Sequence, residues 1–197
     1  MLEQPVVPAG HARRIPGEEG AWLFIFGDML VFAVFFLTYV WYRAQQPGLY
    51  DQSQLALDQA FGLVNTLLLL SSSWLLALGV RAFRLGFIDL SRWLVVGTIA
   101  LGGGFVISKA FEWSDKFAHG ITVMTNDFFM FYFMFTGIHL FHVLIGLGVL
   151  AMLHRLLGRD STDGEGQVFT VVESAAAFWH LVDLLWIVLF ALIYLMR

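Results

Sequence analysis

The chain has 197 residues, of which 59% are hydrophobic, 16% aromatic and 13% charged, with no cysteine and a formal net charge of −4. So few charges are well below the roughly 25% of a soluble domain. The missing cysteines exclude disulfides, thiolate metal sites and cysteine nucleophiles. The 11 Lys and Arg against 15 Asp and Glu leave no basic face for nucleic acid.

Residues 1–19 are polar and carry Pro5, Pro8, Arg13, Arg14 and Pro16. No short apolar stretch with a small-residue cleavage site follows, so no cleaved signal peptide is expected. Arg13-Arg14 reads as a charged anchor holding this segment in the cytoplasm rather than as a twin-arginine export signal.

A helix needs about 20 apolar residues to cross the hydrocarbon core. Five segments qualify, at about 21–42, 61–83, 93–113, 128–153 and 174–196. Hydrocarbon offers no hydrogen bonds, so each must satisfy its backbone internally, as a helix does. The expected fold is all-α: a single domain, residues 20–197, of five transmembrane helices.

The connections fit these limits. Gln45-Gln46-Pro47-Gly48 reads as a loop. Thr125, Asn126 and Asp127 offer capping oxygens before the fourth span. Arg159 to Gly166 reads as a solvated turn. With the N-terminus inside, Arg13, Arg14, Arg81, Arg84, Arg92, Arg155 and Arg159 are cytoplasmic. Arg43, Lys109, Lys116 and Arg197 then fall on or near the far side. Seven against four follows the positive-inside bias, giving an N-in, C-out orientation.

Ionisable groups at membrane depth are costly and each raises a functional question. They are Asp28, His139, His142, His180 and Asp183, with Glu112 and Glu173 nearer the span edges. His139 and His142 are three apart, as are His180 and Asp183, so each pair shares a helix face. Glu173 lies seven residues before His180, on nearly the same face. At about 1.5 Å per residue, Asp28, His142, His180 and Asp183 sit roughly 12, 16, 10 and 15 Å from the cytoplasmic ends of their spans. The expectation is one buried cluster of His142, His180 and Asp183, joined by Asp28, because buried polar groups need partners.

Three chemistries compete with a plain polar clamp between helices. A metal site would use the histidines and carboxylates, but the paired Glu-x-x-His motifs of di-metal bundles are absent. Haem ligation needs histidines facing each other from two helices. A proton relay is compatible with the residues. The clamp is the preferred reading. Gly102-Gly103-Gly104, Gly137, Gly146 and Gly148 serve close helix approach, and Ser71-Ser72-Ser73 bonds back to its own helix. Arg81, Arg84 and Arg92 flank a short cytoplasmic turn, where they could hold anionic lipid headgroups.

The stretch FTGIHLFHVLIG, Phe135 to Gly146, resembles the Thr-Gly-x-His-x-x-His-Val-x-x-Gly signature of haem–copper oxidase subunit III. ESAAAFWHLVDLLWIVLF, Glu173 to Phe190, resembles that family's final helix with its Trp-His-x-x-Asp-x-x-Trp core. Asn65-Thr66 and Lys109-Ala110-Phe111-Glu112-Trp113 resemble two further family segments, in the same order. Mitochondrial-type members have seven helices, so the chain resembles the short five-helix bacterial form. Its opening, Pro16 to Trp22 and then Phe26-Gly27-Asp28, looks most like the branch associated with nitric oxide reductase.

The resemblance implies a non-catalytic subunit of the bacterial inner membrane, without cofactors of its own. It would bind beside a catalytic subunit I that carries haem and copper. In the family, subunit III supports proton uptake, protects the active site during turnover and holds structural phospholipids. It further implies structural and electrostatic roles for His139, His142, Glu173, His180 and Asp183, with Asn65, Trp179 and Glu112 as lesser candidates. Two alternatives stay open: a nitric oxide reductase accessory protein, and a stand-alone membrane metalloenzyme.

Overall fold

The computed structural model describes residues 19–158 and 165–196, and these are all-helical. Helix α1 spans Glu19–Gln45, α2 Pro47–Gln54, α3 Gln59–Arg84, α4 Ile88–Ala118, α5 Asp127–Leu156 and α6 Glu165–Phe190, which runs on into a π-helical turn at Ala191–Leu195. Five of these elements are long and apolar enough to cross a membrane. The expected N-terminal segment lies almost wholly outside the described residues, as do residues 159–164 of the expected solvated turn.

The helices run further than the apolar spans expected on sequence, most of all at the two ends of α4 and the start of α6. Helices α4 and α6 each begin before the apolar run does, because polar residues such as Asp89 and Arg92 can continue a helix beyond the hydrocarbon. The segment after α1, expected as a loop, contains the short helix α2. Pro47 stands in its first turn, where a missing N–H costs nothing. The Asn126 carboxamide caps α5 by accepting from the Phe129 N–H at 3.0 Å. Asp58 caps α3 in the same way through the Ala60 N–H at 2.8 Å.

Helices α3 and α4 form an antiparallel hairpin through a turn at Gly86, whose φ of 82° suits only glycine well. Ser72 and Thr98 face each other across it, the Ser72 hydroxyl donating to the Thr98 carbonyl at 3.1 Å. Helix α6 packs on both α3 and α5, and α5 closes against α4. Trp179 of α6 is the wedge at the centre. It is 1% exposed, its Nε1 donates to Ser72 Oγ at 3.1 Å, and its ring fills the space left by Gly102 and Gly146. A Cβ at either glycine would stand 2.7–2.8 Å from the indole, so small residues here are a packing requirement.

Helix α1 lies outside these four. Its inward face, with Phe32, Phe36 and Tyr39, packs against Phe131, Phe135 and His142 of α5 and against Leu181 and Leu185 of α6. Its other face exposes Leu23, Phe26, Leu30 and Leu37, as lipid or a partner helix requires.

Candidate functional site: the buried polar clamps

The hydrogen bonds sort the polar residues predicted from sequence into separate clamps rather than one cluster. In the first, Asp28 Oδ1 of α1 lies 3.2 Å from His142 Nε2 of α5, with both side chains nearly buried at 12% and 11% exposure. The other ring nitrogen, Nδ1, donates to the Ile138 carbonyl 2.8 Å away. A carbonyl only accepts, so Nδ1 carries a proton; the Nε2 contact is bonded when a further proton sits between the ring and the carboxyl group. Asp28 is thus the main partner of His142, not the subsidiary one that depth along the helices suggests.

In the second clamp, Ser73 of α3 meets His180 of α6, with Oγ 2.5 Å from Nδ1. The bonding within its own helix expected of Ser73 is therefore replaced by a bridge between two helices, because its position faces α6. Asp183, one turn further along α6, is also buried, and its Oδ1 has no hydrogen-bond partner.

Glu173 does not join His180. Its Oε1 accepts from Arg84 Nη2 at 2.7 Å, tying the start of the α6 span to the end of α3. Arg81 and Arg84 line a cleft of about 730 Å³ between α1, α3 and α6, with His180 on its polar side and Ile25, Met29 and Leu181 among its apolar walls. Arg92 lies elsewhere, its guanidinium against Gly158 at the end of α5. The three arginines therefore do not form one patch.

Two candidates stand without hydrogen-bond partners. His139, fully buried, sits between the rings of Phe105 and Trp186 at 5.5 and 5.2 Å, and neither ring nitrogen is bonded. The Asn65 carboxamide is equally buried and unbonded.

The most heavily bonded buried group among the described residues is barely legible in the sequence. Glu112 and Lys109, 1% and 0% exposed, form an ion pair at 2.8 Å, three residues apart on α4. Glu112 Oε1 also accepts from the Tyr132 hydroxyl of α5 at 2.7 Å and from the Tyr194 hydroxyl of the π turn. Lys109 Nζ donates to Tyr194 Oη at 3.0 Å and stands 4.9 Å from the Trp186 ring centre. The pair is thus bonded on several sides, which a charge in hydrocarbon demands. Sequence reasoning places Lys109 among the interfacial charges; the signal it overlooks is an i,i+3 Lys–Glu pair inside an apolar span.

Among the described residues, no group of three His, Cys, Asp or Glu side chains is placed to hold a metal ion. Asp28, His142 and His180 are instead bonded to neighbouring helices. Fold and site together define a multi-pass helical membrane protein whose buried polar groups pair one helix with another.

The family model for cytochrome c oxidase subunit III matches residues 17–197. The chain is 32% identical over 182 residues to cytochrome c oxidase subunit 3 of Corynebacterium diphtheriae, covering 90% of this chain and 87% of the relative. It is 30% identical to a probable cytochrome c oxidase subunit 3 of Mycobacterium bovis, again covering 90% and 87%. To cytochrome c oxidase subunit 3 of the Synechocystis strain it is 31% identical, covering 90% and 74%. The chain belongs to the cytochrome c oxidase subunit III family. With its five apolar helices and bacterial relatives, it is a multi-pass protein of a bacterial plasma membrane.

Proposed function

We propose that this chain is the non-catalytic subunit III of a respiratory haem–copper oxidase, seated against a catalytic subunit I that holds the haem and copper. The observation that carries this reading is the use of its polar groups. Asp28, His142, His180, Glu173 and Glu112 each bond to a side chain of this same chain. Such groups stabilise a scaffold; they are not set out for a substrate. The relatives named above favour an oxygen-reducing complex over one that reduces nitric oxide. The orientation that fits the arginines is N-in, with the Arg84–Glu173 pair at the cytoplasmic side.

The cleft between α1, α3 and α6 adds a lipid-holding role. Its apolar walls suit an acyl chain and Arg81 suits an anionic headgroup at its mouth. A phospholipid there would fill the gap between α1 and the four inner helices.

Copurification tests the assignment. The tagged chain, extracted in mild detergent from its own membranes, is expected to bring down a haem-containing subunit I that reduces oxygen. Recovery with a nitric oxide-reducing catalytic subunit, or with no partner at all, would refute it.

A further inference from the structure

The π turn at Ala191–Leu195 is where the helices of the bundle meet. Its hallmark bond runs from the Met196 N–H to the Ala191 carbonyl at 2.9 Å, five residues back. Moving the Met196 N–H to Ala191 frees the Leu192 carbonyl, and the carbonyls at the helix end that follows also lack intrahelical donors, so these groups need replacements. Three side chains supply them. The Tyr39 hydroxyl of α1 donates to the Leu192 carbonyl at 3.3 Å, Gln59 Nε2 of α3 donates to the Tyr194 carbonyl at 3.0 Å, and Arg43 of α1 donates to the Met196 carbonyl. Arg43 is itself held by Asp51 of α2 at 2.8 Å.

The Tyr194 side chain of the same turn reaches into the bundle. Its hydroxyl enters the sealed Lys109–Glu112 pair of α4, where the Tyr132 hydroxyl of α5 also bonds. The aromatic edge of Tyr194 lies so close to Gly62 of α3 that a Cβ there would stand 2.9 Å from it. The turn and the Met196 that follows it are therefore bonded or packed to α1, α3 and α4, through Glu112 to Tyr132 of α5, and through Arg43 to Asp51 of α2.

We propose that the buried Lys109–Glu112 pair is a lock that holds this π turn, and through it the α1–α2 corner, in register with the bundle. The reasoning is that the pair needs the Tyr194 hydroxyl, while an uninterrupted α-helix would carry that residue to a different azimuth, by up to about 100° for one residue of slip. The π turn sets Tyr194 on the pair, and the Leu192 carbonyl it frees, with the helix-end carbonyls of Tyr194 and Met196 that it positions, become the docking points for Tyr39, Gln59 and Arg43. Loss of the Glu112 charge removes the reason for the turn and releases those three side chains together.

The test is hydrogen–deuterium exchange of the full chain in lipid nanodiscs, comparing wild type with Tyr194→Phe and Glu112→Gln. Tyr194→Phe keeps the ring and its packing, so it remains informative if Glu112→Gln fails to fold. The lock predicts at least about tenfold faster exchange at the 191–196 amides in Tyr194→Phe, together with faster exchange across 43–54. Amides of α3 and α4 near the Ser72–Thr98 contact should keep their wild-type rates. Unchanged exchange at 191–196 in Tyr194→Phe would overturn the proposal. So would loosening of 191–196 that leaves 43–54 at the wild-type rate.

Discussion

Asp28 and His142, on the outermost helix and on α5, stand 3.2 Å apart with their remaining surfaces almost closed to solvent. This is the polar tie between α1 and α5, alongside a contact that is otherwise aromatic. Removing one member leaves the other buried and unsatisfied, which costs more than removing both. In a double-mutant cycle read by thermal unfolding in detergent, Asp28→Leu and His142→Phe should couple by about 1–3 kcal/mol. Additive single effects would show that the two residues do not act together.

The Lys109–Glu112 pair should behave in the same sense but more strongly, because both side chains are sealed. Lys109→Met or Glu112→Leu alone should destabilise by about 3–5 kcal/mol, while the double substitution should recover much of that loss. Denaturant or thermal melts of the three variants in one detergent make the comparison. A double variant less stable than either single would contradict it.

His139 and Asn65 lead to the opposite expectation. Each is buried with no hydrogen-bond partner, so an apolar residue of similar size removes a desolvation cost and breaks no bond. Asn65→Leu and His139→Phe should leave the melting temperature unchanged or raise it, whereas His142→Phe lowers it. Equal destabilisation by His139→Phe and His142→Phe would count against the assignment.

The central wedge gives a steric prediction. Gly146→Ala puts a Cβ 2.7 Å from the Trp179 ring, while Gly148, two residues on, has nothing within 4 Å. Gly146→Ala should destabilise by about 1–3 kcal/mol, the usual range for overpacking. Gly148→Ala should be neutral or slightly stabilising, since helical Ala is favoured over Gly. Parallel melts of the two variants separate packing from propensity.

For the cleft, the double variant Arg81→Gln/Arg84→Gln should copurify with several-fold less anionic phospholipid than wild type, measured by lipid mass spectrometry. Arg92→Gln, whose side chain lies against Gly158 instead, should retain the wild-type amount. Equal retention in all three would remove the lipid from the account.

The five long helices are legible because hydropathy over about 20 residues is a strong signal in a chain with so few charges. Their ends are not, since Asp89 or Arg92 continues a helix past the apolar stretch as readily as it ends one. Helix α2 is hidden by its Pro-Gly start, which reads equally as a loop. The π turn leaves no trace in an unbroken apolar run from Leu189 to Leu195.

At the sites, a spacing of three does not give His139 and His142 common neighbours: His139 lies against Phe105 of α4 and Trp186 of α6, His142 against Asp28 of α1, and depth alone cannot assign partners. The depths estimated for Asp28 and Asp183 are similar, and only the rotation of each helix about its axis gives His142 to Asp28 and Ser73 to His180. Lys109 is misplaced by sequence reasoning because positive charges near span ends usually face water. Its partners Tyr132 and Tyr194 lie on other helices, so the ring contact and the hydroxyl bond leave no local pattern.

The central claim is that these buried ionisable groups hold helices together and perform no chemistry. The most direct test is to purify the chain free of other subunits and measure its metal and haem content and its oxygen consumption, beside the intact complex. The account predicts substoichiometric metal and haem and no turnover for the chain alone, with both present in the complex. A stoichiometric bound metal or haem in the lone chain, or oxygen reduction by it, would contradict the claim.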